Sequence, residues 1–438
     1  MPMRTVYLLF TAIIFLYSCS QKDKPLFQAI PSTKSGITFS NTIEENQMLN
    51  MINYQYLYNG GGVGIGDFNN DSLPDIYFTA SITGNKLYLN RGNLKFEDVT
   101  EIAGVSGDKK WSRGATVVDI NNDGMLDIYV CAAAWQKAEL KEDILYVNQG
   151  YKSGTDIPVF RNMTREFGLA DTLSTHMAAF FDYDNDGDLD LYCVINDLNQ
   201  EFPNNFRKIK NDGSGFTNDV LYRNDWNPQL QHGVYTNVSR EAGITWEGNG
   251  LGISILDINE DGWKDIYVSN DYLSGNLLYV NNKNGTFTNR NGEYFKHGSL
   301  NAMGNDAADI NNDGLVDIVE MDMMPEDNYR QKKMMNQTDY NWYLYSSQYG
   351  FPYQTTRNTL QINRGPRVLS NDSIGAPVFS EMAFSGGIPF TDWSWAALLM
   401  DADNDGYKDL MTTNGLPKDV TDLDFIAYRE SGQANLID

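Results

Sequence analysis

One nine-residue pattern, D-x-[ND]-x-D-[GS]-x-x-D, recurs six times in this chain of 438 residues and constrains its fold more than any other feature. It occupies Asp67–Asp75, Asp119–Asp127, Asp182–Asp190, Asp257–Asp265, Asp309–Asp317 and Asp401–Asp409. A chain that repeats itself on this scale stacks copies of one small unit instead of folding around a single irregular core. Each loop is followed by an apolar, often tyrosine-containing stretch such as Ile76-Tyr77-Phe78 or Ile128-Tyr129-Val130. In five cases an L-[YQ]-x-N stretch comes later, starting at Leu87, Leu145, Leu221, Leu278 and Leu360. An aromatic residue then opens a strand-like piece that ends in glycine plus an aliphatic, as in 96–105, 160–169 and 235–244. The interval from that aromatic to the next loop is 23 residues from Phe96 and 22 from Phe160, Tyr235, Phe287 and Phe379. A constant interval implies a fixed geometric unit.

Each unit reads as four short strands. A small-residue strand leads into the acidic loop, the D-I-Y strand leaves it, and the L-[YQ]-x-N and aromatic strands complete the sheet. Five positions before the first Asp stand Gly62, Gly114, Gly252, Gly304 and Ala396, with Met177 the exception. Small residues suit the crowded inner strand of a radial array. The expected fold is therefore all-β, a β-propeller of four-stranded blades. Helical solenoids are excluded, because no apolar period of 3.6 residues is present.

The sixth unit stops after Leu410-Met411-Thr412 without an L-[YQ]-x-N strand. Phe27 to Ile37 looks like a further copy, 40 residues ahead of Asp67, and would supply one outer strand of the closing blade. The organisation read from this is six units begun, of an incomplete seven-bladed ring. Residues 1–18 form a signal peptide, 19–58 a tether and closing outer strand, 59–415 the propeller, and 416–438 a tail leading into a truncated continuation.

The loops carry the chemistry. Hard cations take oxygen ligands, and Ca²⁺ accepts 6–8 of them in flexible geometry, whereas Mg²⁺ keeps its waters and a rigid octahedron. Positions 1, 3 and 5 bring side-chain oxygens together, position 7 offers a carbonyl and position 9 a closing carboxylate. The expected side-chain ligands are Asp67, Asn69, Asp71 and Asp75; Asp119, Asn121, Asp123 and Asp127; Asp182, Asp184, Asp186 and Asp190; Asp257, Asn259, Asp261 and Asp265; Asp309, Asn311, Asp313 and Asp317; and Asp401, Asp403, Asp405 and Asp409. Four carboxylates in the third and sixth loops and three in each of the others account for 20 of the 58 acidic residues. Without a cation these groups repel; six Ca²⁺ would bring the formal charge from −25 to −13. A pure turn reading, in which Asp, Asn and Gly merely reverse the chain, does not account for six loops in register. An EF-hand reading fits Asp309 to Glu320 but not the others, which carry Phe78, Val130, Cys193, Val268 and Thr412 at the twelfth position. Ser72 replaces glycine in the first loop, with Pro74 after it. The ions are read as structural, pinning hairpins in a chain without a disulfide framework.

These motifs resemble FG-GAP/VCBS repeats, the blades of integrin-α-type propellers. Asn301-Ala302-Met303-Gly304-Asn305-Asp306 and Met323-Met324-Pro325-Glu326-Asp327-Asn328-Tyr329 resemble a subgroup of lipid-anchored Bacteroidetes VCBS proteins related to cartilage acidic protein. The resemblance covers residues 27–430 and implies calcium sites and an extracytoplasmic location. Many such proteins continue into an ASPIC/UnbV domain, which this chain is expected to lack.

The N-terminus agrees. Arg4 precedes an apolar run from Val6 to Tyr17, and Leu16-Tyr17-Ser18-Cys19 resembles a lipobox, so Cys19 is the expected lipidation site. A lipid anchors without spanning. The chain is placed in the bacterial envelope, outer membrane and extracytoplasmic. Cys131 and Cys193 read as small buried hydrophobes whose thiols point to opposite faces of equivalent strands. A formal charge of −25 argues against a nucleic-acid partner.

A ligand is expected on the face opposite the metal loops, where the connections vary most. From the last loop Asp to the next L-[YQ]-x-N they run 12, 18, 31, 13 and 43 residues. The two longest, about 196–218 and 322–357, are the candidates, and the second contains Tyr329, Arg330, Lys332, Lys333, Trp342 and Tyr343, which suit sugar or peptide contacts. The rival reading is that these rings cover the flank of the propeller. His176, His232 and His297 lie in no metal or triad pattern, and Gly60–Gly66 leads into an acidic loop instead of a phosphate-binding helix. The functional reading is a non-catalytic binding module for a glycan or an envelope protein. The alternatives are a polysaccharide lyase, which would need Arg330, Lys332 or Lys333 to converge on a tyrosine in one cleft, and an inert fragment of a longer protein.

Overall fold

A computed structural model describes residues 25–107, 110–133, 140–197, 204–334, 340–371, 373–416 and 418–431. The signal segment and Cys19 lie outside these residues. Each acidic loop joins two antiparallel strands, and the sheets follow the expected order. Blade 1 comprises Val63–Gly66, Asp75–Phe78, Lys86–Asn90 and Phe96–Asp98, hydrogen-bonded in that sequence. Blade 2 comprises Ser112–Val118, Asp127–Ala132, Ile144–Tyr151 and Pro158–Asn162. Blade 3 runs Thr175–Phe181, Asp190–Ile195, Val220–Asn227 and His232–Asn237, and blade 4 runs Gly250–Leu256, Asp265–Asn270, Leu277–Asn281 and Phe287–Asn289. Blade 5 takes Asn305–Ala308, Asp317–Glu320, Thr359–Val368 and Ile374–Glu381. Blade 6 is smaller: Asp392–Met400 and Asp409–Asn414, with Met323–Met324 paired to the start of the first. The chain is a six-bladed β-propeller.

Apolar side chains meet between blades. One cluster joins Tyr77, Leu87 and Leu89 of blade 1 to Ile128, Val130 and Ile144 of blade 2, and equivalent clusters lie between blades 2 and 3, 3 and 4, and 4 and 5. Cys131 and Cys193 are free, buried and in the same cluster. Alternation does point them to opposite blade faces; those faces meet because consecutive blades stack.

The small residues of the inner strands have a physical cause. A Cβ on Gly114 would sit 2.9 Å from the His176 carbonyl oxygen, and one on Gly252 would sit 2.9 Å from that of Met303. At these glycines the neighbouring inner strand leaves no room for a Cβ, whereas Met177, at the same register of blade 3, is 37% exposed.

Successive inner strands lie side by side from blade 1 to blade 6, but no comparable packing joins the Asp392 strand to the Val63 strand. Val63 and Ile65 occupy the register of Ala115 and Val117, which pack into the blade 1–blade 2 core, and of Ile253 and Ile255, which pack against blade 3. At the seam they are 54% and 63% exposed. The segment ahead of blade 1 explains part of this. Helix Ser32–Ser35 and Gly36 dock on the Phe96 carbonyl, as Gly168 docks on Tyr235 and Gly243 on Phe287. The second half of the extra copy is therefore in place. Its first half is not a strand: residues 25–31 are irregular and Phe27 is 58% exposed. Blade 6 has no L-[YQ]-x-N strand for it to pair with.

Residues 43–58 cross the face opposite the acidic loops. Met51, Tyr54, Tyr56 and Leu57 pack with Tyr272, and Leu416 and Val420 of the tail lie against them. Arg113 holds this segment through the Tyr54 hydroxyl and the Tyr56 carbonyl, at 3.1 and 2.8 Å.

Candidate metal centres and ligand face

The six loops share one backbone. The fourth residue has a positive φ in each: Asn70, Asn122, Asn185, Glu260, Asn312 and Asn404. So does the sixth, where Gly124, Gly187, Gly262, Gly314 and Gly406 are joined by Ser72 at φ 70°. Ser72 thus keeps the loop geometry in a region that costs a side chain roughly 1 kcal/mol. Ser72→Gly is expected to stabilise the chain by about that much, read as a higher urea midpoint with unchanged slope.

The carboxylates organise this turn. Asp119 accepts from the Asp123 and Gly124 N–H groups at 3.0 and 2.8 Å, and Asp123 accepts from Met125 at 2.8 Å. Loops 3 to 6 repeat the pattern. The ninth residue is the anchor. Asp127 is fully buried; one oxygen accepts from Ile120 N–H at 2.9 Å and the other from Asn148 N–H at 2.7 Å. It therefore ties the loop to the third strand through the asparagine of L-[YQ]-x-N. Asp75, Asp190, Asp265 and Asp317 do the same.

Among the described residues, the third and sixth loops gather three carboxylates each, a donor set that fits a hard cation. Oxygens of Asp182, Asp184 and Asp190 lie within 4.8 Å of one another, as do those of Asp401, Asp403 and Asp405. Asn69 Oδ1 and Asp184 Oδ1 are buried without a hydrogen-bond partner. Burial, with repulsion from Asp123 and Asp119 behind it, pushes Asp127 up to about 7. The same causes push Asp190 up to about 8 and Asp265 up to about 7. A divalent ion would relieve that repulsion.

A second repeated device stands two residues before each L-[YQ]-x-N leucine. Asn85, Asp143, Asp219, Asn276 and Asn358 accept from the backbone at the end of the second strand, from Ala80, Ala132, Ile195, Asn270 and Asp322, at 2.7–3.0 Å. Four of them also bond the D-I-Y tyrosine hydroxyl: Tyr77, Tyr129, Tyr192 and Tyr267. The sequence did carry this signal, an [ND]-x-L triplet.

Buried acids on this side set a pH dependence. Burial pushes Asp143 and Glu320 up to about 8, and Asp219 and Asp271 up to about 7. Between about pH 4 and 7 the folded chain holds more protons than the unfolded one, so stability falls as pH rises. In calcium-free buffer the melting temperature is expected to be roughly 5 °C or more higher at pH 5 than at pH 8; a rise toward pH 8 contradicts this.

The two long connections meet. Phe206, from the first, packs edge-on against Trp342 at 4.9 Å and lies near Tyr345, Tyr349 and Phe351 of the second. That second connection is helical at Asn328–Lys333 and Tyr340–Tyr349. Tyr329 is exposed, and Tyr343 stacks between Tyr340 and Tyr353. Arg330 pairs with Asp392 and Asp419, and Lys333 with Asp424. These pairs tie the helix to the blade 6 strand through Asp392 and to the tail through Asp419 and Asp424. Lys332 is on the same helix. His176 is buried beside the axial channel that Gly62, Gly114, Gly252 and Gly304 of the inner strands line, His232 stacks on Phe167, and His297 lies beside Glu381 and Arg357. No helix among the described residues is long and apolar enough to cross a membrane.

Residues 67–130 and 257–320 match the FG-GAP-like repeat family. The chain is a β-propeller that contains FG-GAP-like repeats. It is similar to cartilage acidic protein 1 of Mus musculus, 25% identical over 231 residues, which is 52% of this chain and 32% of that protein. The Homo sapiens protein is 25% identical over 234 residues, 53% of this chain and 31% of that protein. The chain thus spans about a third of the length of these curated relatives. Among solved structures, an Agrocybe aegerita lectin that recognises non-reducing terminal N-acetylglucosamine aligns at a TM-score of 0.40 and 15% identity, over 82% of this chain and 79% of that one. The V. cholerae biofilm matrix protein Bap1 aligns at 0.30 and 13%, over 60% of this chain and 34% of that one.

Proposed function

We propose that the chain is a calcium-stabilised, non-catalytic binding module of the bacterial envelope. Lipidated Cys19 tethers it to the membrane, and its ligand, a glycan or an envelope protein, docks on the face opposite the acidic loops. The observation that carries this reading is the division of labour between the two faces. One rim holds six acidic loops that share positive φ at their fourth and sixth positions, and calcium would rigidify them. The other holds the long connections, an aromatic cluster around Phe206 and the crossing segment 43–58. Variable loops on a rigid frame are where binding residues accumulate.

Two measurements test it. A glycan array, and immobilised outer-membrane proteins in parallel, are probed with the full chain in calcium and in chelator. Saturable binding that chelation weakens supports the reading; silence on both surfaces opposes it. Detergent phase partitioning tests the anchor separately. The full precursor expressed in a bacterial host is expected in the detergent phase, and Cys19→Ser in the aqueous phase.

A further inference from the structure

On the face away from the acidic loops lies a cavity of about 250 Å³, which shares Met303 and Trp395 with the channel between the inner strands. Its walls come from the start of the blade 6 inner strand, the turn before blade 5, and the ends of the second strands of blades 4 and 5. Residues 51–56 and 420–429 complete it. Trp393, Trp395 and Asp271 line it, with Asn301, Asn204 and Thr421.

Three properties of this wall select its ligand. It is aromatic: two indoles stand together, and ring faces take up the C–H face of a saturated ring. It is also under-satisfied. Trp393 Nε1, Trp395 Nε1, Asn301 Oδ1, Asn204 Oδ1 and Thr421 Oγ1 are all buried without a hydrogen-bond partner. Buried polar atoms are paired in the great majority of cases, and each one left alone costs about 1–3 kcal/mol. Both donors and acceptors are present, so the complementary molecule carries hydroxyl groups, which serve as either. Finally, the buried carboxylate is already engaged. Asp271 accepts from the Tyr56 hydroxyl at 2.9 Å, from Asn301 Nδ2 at 3.0 Å and from Tyr272 N–H at 2.8 Å. A cationic ligand is not called for.

We infer that this cavity binds one hexose-sized sugar ring, the terminal unit of a glycan, stacked on the Trp393–Trp395 wall and hydrogen-bonded to Asn301 and the indole N–H groups. The volume, which about eight waters would fill, admits a ring end-on and not the interior of a polysaccharide. The inference rests on the reading of the chain as a binding module and assigns that module a site and a ligand class.

The test uses the full chain in calcium, titrated with methyl hexosides and methyl N-acetylhexosaminides while tryptophan emission is followed. At least one is expected to shift the emission saturably. Trp393→Phe, which keeps a ring but removes the N–H, is expected to bind at least tenfold more weakly. Thr421→Val, on the roof and away from the propeller core, is expected to weaken the same ligand several-fold, so the test survives if the tryptophan variant folds poorly. Hexoside binding that both variants leave intact overturns this site while the binding-module reading stands. No emission change with any glycoside, alongside a positive array or protein surface, also overturns the site alone. Silence in every assay overturns both.

Discussion

Asp127→Ala is expected to cost the fold about 3–5 kcal/mol, more than any other single carboxylate-to-alanine change in its loop. The reason is structural bookkeeping within one buried side chain. Its two oxygens take the Ile120 and Asn148 N–H groups, and the residue is wholly buried. Removing it strands two backbone donors at about 1–3 kcal/mol each and leaves a cavity besides. Because those donors are backbone groups, the loss persists in chelator. Asp123→Ala behaves differently. Asp123 is exposed to solvent in its hydrogen bonds, and its loss is expected to cost little in chelator but to reduce the gain on adding calcium. Asp127→Asn retains one acceptor oxygen and is expected to fall between. Urea unfolding in calcium and in chelator separates the three. Equal losses for Asp127→Ala and Asp123→Ala in chelator would contradict this assignment.

The second large effect is steric. Gly304→Val is expected to destabilise the chain by at least about 3 kcal/mol and to lower soluble yield. A Cβ there would sit 2.5 Å from the Trp395 carbonyl oxygen and 3.2 Å from the Ala396 Cα, so blades 5 and 6 must part. Backbone cannot step aside as a flexible side chain can. Gly124→Ala is the comparison: its Cβ meets nothing within 4 Å, and its φ of 82° costs about 1 kcal/mol. Melting of Gly304→Val within a degree of the parent chain would contradict the close approach of these strands.

Much of this architecture was legible because repetition amplifies weak local signals. A single Asp-rich turn such as Asp257–Asp265 is ambiguous, whereas six at fixed offsets define where strands start and which strand is inner. The glycines five residues before each loop were readable for the same reason. What repetition could not reach was whatever occurs once. Residues 43–58 carry no periodic pattern, yet Tyr54 and Tyr56 roof the channel through contacts with Arg113 and Asp271, which lie far along the chain. Arg330 and Lys333 read as free cations in the sequence, and their partners Asp419 and Asp424 stand about 90 positions away. The ninth loop aspartate was readable as acidic and recurrent. Its second role, accepting from the asparagine of the third strand, needed the sheet to be assembled. The cavity beside Trp393 and Trp395 gathers residues from blades 4, 5 and 6 and from both segments outside the ring.

The most direct test of calcium as the element that locks these hairpins is a count of bound ions. Full-length protein dialysed against micromolar calcium and measured by elemental analysis is expected to carry about six Ca²⁺ per chain, with a melting temperature that falls by 10 °C or more in chelator, roughly what saturating several sites provides. Protein that retains no calcium and melts at the same temperature in either buffer would contradict the account.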